Sequence, residues 1–176
     1  QQHFIPHRCA TKDKTLFVLL LEHIMATTRE EPLSGNDSLA IMSSADAASE
    51  MLGLNNYEEP IVVQEAIEKF LSALAEGTAS NKLGPMKAPM ALGSLWGNTL
   101  LMAYDWKWTK VSHGDWQALG LVDAEKRYLA LPHQMFKQLL SDSCDPSMAG
   151  PYSRFNAIGA KQLPPSEPGT FTIITS

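Results

Sequence analysis

From about residue 89 to residue 105 the chain carries apolar side chains around nearly the whole circumference that a helix would present. Leu92, Leu95, Trp96, Leu100, Met102 and Ala103 fill it, and only Ser94, Asn98 and Asp105 form a narrow polar stripe. A helix that is apolar on most sides has no face to give to water, so it belongs at the centre of a fold with other elements packed around it. Gly93 and Gly97 stand four residues apart on one face of this helix. Each costs roughly 1 kcal/mol relative to alanine in a helix interior. That cost predicts a use for the missing side chains, namely the close approach of a neighbouring element.

The segments before it supply partners. Residues 12–27 read as a first helix with Phe17, Leu20, Leu21 and Ile24 on one face, followed by a turn-rich loop over 27–38. Residues 43–53 fit a short helix capped by Ser43 or Ser44 and stopped by Gly53. Residues 59–76 form the clearest amphipathic helix, with Val63, Ala66, Ile67, Phe70, Leu71 and Leu74 in one stripe and Pro60 in its first turn. A loop over 77–89 leads into the central helix.

After it the period changes. WKWTKV, residues 106–111, alternates aromatic and polar side chains like a half-buried strand, with Trp106 and Trp108 on a shared face. ALGLVD and RYLAL add two further strands or one hairpin, so a small antiparallel sheet of two to four strands is expected. Pro132 then opens a last helix with Phe136, Leu139 and Leu140 facing inward. From Ser141 onward there are five prolines and three glycines and no helical periodicity. Residues 141–176 therefore read as an extended arm, with a disordered tail as the alternative, and their FTIITS end has the propensity to join a sheet edge, here or on another chain. The fold class is α+β: one domain over residues 1–176, helices on one face of a small antiparallel sheet, and a Pro-rich C-terminal arm outside.

Composition narrows the partners. Residues 1–88 hold 12 acidic against 7 basic side chains, and residues 89–176 hold 7 of each. No Lys/Arg-rich run supplies the cations that phosphate binding needs, so nucleic acid is not an expected partner. The longest apolar run, LFVLLL at residues 16–21, falls short of the ~20 residues of a membrane helix, so no span is expected. The chain begins at Gln1, read here as the loss of upstream residues by signal-peptide removal or otherwise. The compartment stays open between cytoplasmic and exported, and so does the oligomeric state. Cys9 and Cys144 are the only cysteines; separate thiols and a long-range disulfide are both compatible with that count.

The run from LGSLWGNTL through DWKW to RYLALP and the helix after it resembles a family of uncharacterised bacterial domains. In these, a helix with a Gly-x-x-x-Gly-like pattern leads into a Trp-rich strand, then a strand ending in an aromatic-x-x-x-Pro-like pattern, then an amphipathic helix. The matching residues are Gly93, Trp96, Gly97, Trp106, Trp108, Tyr128 and Pro132, within about residues 60–140. The resemblance implies an α+β fold but no assigned activity. Similar small domains occur among proteins that bind and neutralise toxins, which implies an immunity-like role; the first 58 residues and the Pro-rich tail depart from the pattern.

Candidate chemistry is sparse. Cys144 with His133 or His113 as base supplies the residue types for thiol catalysis, though no nucleophile motif surrounds the cysteine. His113, Asp115 and His133 could converge on a metal, but no HExxH, paired CxxC or Asp-rich loop accompanies them, and no metal is assigned. Gly84 and Gly93 are accompanied by Pro85 and Pro89, which remove amide donors and make a poor phosphate cradle. Glu58, Glu59, Glu65 and Glu68 are explained by a helix start and by solvation. Trp106, Trp108, Trp116 and Asn98 could line a groove for a sugar or other small ligand, against the alternative that the indoles belong to the core.

With no complete catalytic constellation and no cofactor motif, the first expectation is a non-enzymatic interaction module acting through a protein partner. A small hydrolase or transferase built on Cys144 is the second, and a carbohydrate or small-ligand binder using the tryptophans is the third.

Overall fold

A computed structural model describes residues 28–55, 58–113, 115–141, 150–169 and 171–174. The helix expected over 12–27 and Cys144 lie outside them. The element order is β1 (Arg29–Glu31), α1 (Gly35–Leu52), α2 (Pro60–Ala75), α3 (Gly84–Tyr104), β2 (Lys107–His113), β3 (Trp116–Val122), β4 (Tyr128–Ala130), α4 (Pro132–Leu139), α5 (Pro151–Gly159) and β5 (Thr172–Ile174). The fold is α+β.

The strands form one five-stranded sheet in the order β1-β2-β3-β4-β5. The pairs β1–β2, β2–β3 and β3–β4 are antiparallel, whereas β5 runs parallel to β4, with Leu129 opposite Ile173. The sheet is thus mixed and larger than the expected two to four antiparallel strands. Both additions come from segments whose turn residues masked them: Arg29–Glu31 opens the presumed loop, and Thr172–Ile174 closes the presumed arm.

Alternation along the strands separates two apolar clusters. Leu121 and Ala130 belong to the main core beneath the helices, with Trp96, Leu92, Leu100, Ile67 and Phe136. Val111, Val122, Leu129 and Phe171 make a smaller cluster of their own. Neighbouring residues on β3 and on β4 part in this way because successive strand side chains point to opposite faces.

The central position of α3 stands as expected. Its stretch from Ala91 to Gly97 is buried without interruption. The helix begins at Gly84 and not near Pro89. Pro85 is accommodated in the first turn, and Pro89 forgoes only the bond that its missing N–H would have given to the Pro85 carbonyl. α2 matches its expected span, and Gly53 ends α1 in the left-handed conformation at φ 69°.

α1 is capped by Ser34, nine or ten residues before the expected Ser43 or Ser44, at a capping box. Ser34 Oγ accepts from the Asp37 amide at 3.1 Å while Asp37 Oδ2 accepts from the Ser34 amide at 3.0 Å. The reciprocal pair satisfies two helix-end donors. These bonds hold the Asp37 carboxyl below its ordinary range, the Ser34 hydroxyl contributing most.

The C-terminal arm is also corrected. Residues 151–159 are helical, Phe155 and Ile158 enter the main core, and the Trp96 indole donates to the Pro151 carbonyl at 3.1 Å. Phe155 packs against Tyr104 with ring centroids 5.0 Å apart. A helix of this length has too few turns to display a period against its own Pro and Gly boundaries.

Candidate functional site

The two glycines of α3 are where other elements press closest. A Cβ on Gly93 would lie 2.7 Å from His133 Cδ2 and 2.9 Å from the Pro132 carbonyl carbon, so the start of α4 rests on it. A Cβ on Gly97 would run into Trp108 Cζ2, with Leu121 Cδ1 at 2.8 Å.

Beside them, Ser94 and Asn98 of the polar stripe meet these same neighbours. Ser94 Oγ and His133 Nε2 share a hydrogen bond at 3.0 Å. The His133 ring stacks on Trp108 at a centroid distance of 5.5 Å and an interplanar angle of 24°. Trp108 Nε1 donates to Asn98 Oδ1 at 2.9 Å. Side chains from α3, α4 and β2 thereby close a ring of contacts. Asp105 does not join it; it caps α3 in the left-handed region at φ 57° and is exposed. Replacing Trp108 by Phe keeps the stacking and removes the indole donor, so a loss of about 1 kcal/mol in urea unfolding is expected.

Burial pushes the His133 imidazole down to about 4, so it is neutral near pH 7. It lies against a hydroxyl, the arrangement of a base beside a nucleophile, but Ser94 is fully buried and lines neither surface depression described below. The bond ties α4 to α3. His113 pairs with Trp116 in the β2–β3 register. Among the described residues, no group of three or more His, Cys, Asp or Glu side chains is placed to hold a metal ion.

The tryptophans divide. Trp106 precedes β2, is buried in the main core and still reaches a surface groove; Trp108, half-buried, lines the same groove with Asn98. Trp106 stands one residue before β2, which begins at Lys107, and both indoles pack on the main core and meet in the one groove. Trp116 packs on the smaller cluster with Val111 and Phe171, so it does not line the groove.

The groove encloses about 440 Å³ between α1, the end of α3 and the start of β2, and it is lined by Leu33, Ser38, Ile41, Met42, Asn98, Leu101, Trp106, Lys107 and Trp108. A smaller depression of about 110 Å³ continues along the α1–α3 seam, past Asp46, Ser49, Asn55, Glu58 and Met102, and Asn98 lines both. Met42 and Met102, which line them, are 59% and 64% exposed, and Leu39 on α1 is 65% exposed. The methionines and leucines of this seam were not among the expected site residues. The signal that places Met42 on a long α1 is Ser34-x-x-Asp37, a capping-box pattern.

No helix among the described residues is long and apolar enough to cross a membrane. No protein-family model, curated protein or solved structure matches the chain.

Proposed function

We propose that the chain is a non-enzymatic binding module that holds a protein partner on the α1–α3 seam. The observation that carries this reading is the set of exposed apolar side chains on α1 and α3: Met42 and Leu101 line the groove with Trp106 and Trp108, and Met102 lines the depression beside it. Contiguous apolar surface is costly to leave in water and marks interaction sites. Methionine and tryptophan suit such a site, because a flexible thioether adapts to a partner and an indole offers a large apolar body with one donor. The resemblance of residues 60–140 to bacterial domains extends the proposal to an immunity-like role, in which the partner is a toxin.

The test is affinity capture from the source cell with the full chain and with Leu101→Asp, a residue at the surface of α3. The expected result is a protein recovered in stoichiometric amount with the wild type and lost with the variant, whose thermal melt stays close to wild type. Recovery of no protein that depends on Leu101 overturns the reading.

A second reading rests on the groove volume of about 440 Å³. It falls in the ~300 to 1,000 Å³ range of small-ligand sites, and Trp106, Trp108 and Asn98 meet there. Tryptophan fluorescence that stays constant across a panel of sugars and small apolar ligands removes it.

A further inference from the structure

We infer that the partner accommodated by the seam is a second copy of this chain, related to the first by a twofold axis passing through the middle of the seam. The inference rests on the reading of the seam as a protein-binding surface and adds the identity of what covers it.

The charge along the seam decides the occupant. At one end the large groove contains a single charged side chain, the cation Lys107. At the other end the smaller depression contains two anions, Asp46 and Glu58. Met42 and Leu101 line the groove with Lys107, Met102 lines the depression with Asp46 and Glu58, and Asn98 is common to both. Lys107 and Asp46 are exposed, and neither takes part in an ion pair among the described residues. Glu58 accepts a hydrogen bond from the Asn55 side chain at 3.0 Å and stays half-buried.

α1 passes both depressions, with Ser38 at the basic end and Ser49 at the acidic end. At 1.5 Å per residue these positions stand roughly 16 Å apart along the helix. A surface with a cation at one end, anions at the other and apolar side chains at both is complementary to itself. Rotation by half a turn about its centre carries Lys107 of each copy onto Asp46 and Glu58 of the other, and it lays Met42 and Leu101 of each copy towards Met102 of the other. A twofold contact uses one patch twice, so both charge pairs form together. A heterologous partner would need the mirrored charge order, which this chain already has.

The full-length chain is tested by sedimentation across a wide dilution series, as wild type, as Lys107→Glu, as Asp46→Lys with Glu58→Lys, and as an equimolar mixture of the two variants. Thermal melts first establish that each variant folds. The wild type is expected to move from the mass of one copy towards that of two as concentration rises. Each variant alone places like charges opposite one another and is expected to associate at least about tenfold more weakly. In the mixture every charge faces its opposite, one pairing being native and the other reversed, so the two-copy mass is expected to return.

A wild-type chain that keeps the mass of one copy at every concentration overturns the inference and assigns the seam to another occupant, a different protein or residues 1–27 of the same chain. Leu101-dependent capture would survive that outcome, so the two failures are distinguishable. Self-association that persists undiminished in both variants, or that fails to return in the mixture of folded variants, also overturns it.

Discussion

Gly97→Leu is expected to lower the unfolding free energy by about 3 kcal/mol, at the upper end of what overpacking costs. The reason is local: the first carbon added at this position already runs into the Trp108 ring and comes within 2.8 Å of Leu121 Cδ1. Neither neighbour has an easy retreat. Leu121 is fully buried, and Trp108 is held on one side by Asn98 and on the other by the His133 ring. Gly97→Ala makes the comparison sharper, because alanine favours the helix by about 1 kcal/mol over glycine. The alanine chain is nevertheless expected to be less stable than wild type in urea unfolding. An alanine chain of equal or higher stability would mean that β2 does not pack this closely on α3.

The second large effect is acid destabilisation through His133. Its folded value of about 4 lies below the ordinary value of 6.5, because burial penalises the charged ring. Between these values the unfolded chain binds the proton and the folded chain does not, so protonation favours unfolding. The neutral ring's stabilising contribution is complete above about pH 6.5 and is lost progressively as pH falls towards 4, a change of about 3 kcal/mol. Comparing wild type with His133→Phe isolates the term: the variant loses the Ser94 bond at every pH, yet its stability is expected to fall less steeply between pH 6.5 and 4. Parallel curves for the two chains would place the titration elsewhere.

The parts of this fold that were legible in the sequence are those whose pattern is long enough to average over. α2 and α3 each display several turns of apolar side chains, and the glycines of α3 predicted a close approach that His133 and Trp108 supply. Short elements escaped. β1 and β5 have three residues each and take their stability from the strand beside them, so their own composition carries little signal. α5 is hidden between prolines and glycines, although Phe155 and Ile158 are core residues.

The site was legible in part. Asn98, Trp106 and Trp108 do meet in one groove, whereas Trp116 belongs to the smaller apolar cluster, since no spacing rule says which cluster an indole joins when it flanks a turn. The exposed Leu39 and Met42 could not be seen as surface while α1 was given a later start. The Ser94–His133 bond spans 39 residues and depends on how α4 settles on Gly93, which only the assembled fold determines.

The parallel pairing of β4 with β5 sets an order on synthesis. β4 ends at Ala130, but its outer neighbour is not complete until Ile174. While residues beyond 130 are being made, that edge of the sheet presents unpaired backbone groups, and Phe171 is not yet there to complete the smaller cluster. At a translation rate of about 5 to 20 residues per second the exposure lasts some seconds. A chain that has released α5 but not yet seated Thr172–Ile174 would therefore carry the main core with an open sheet edge, the state in which association with the wrong neighbour is easiest.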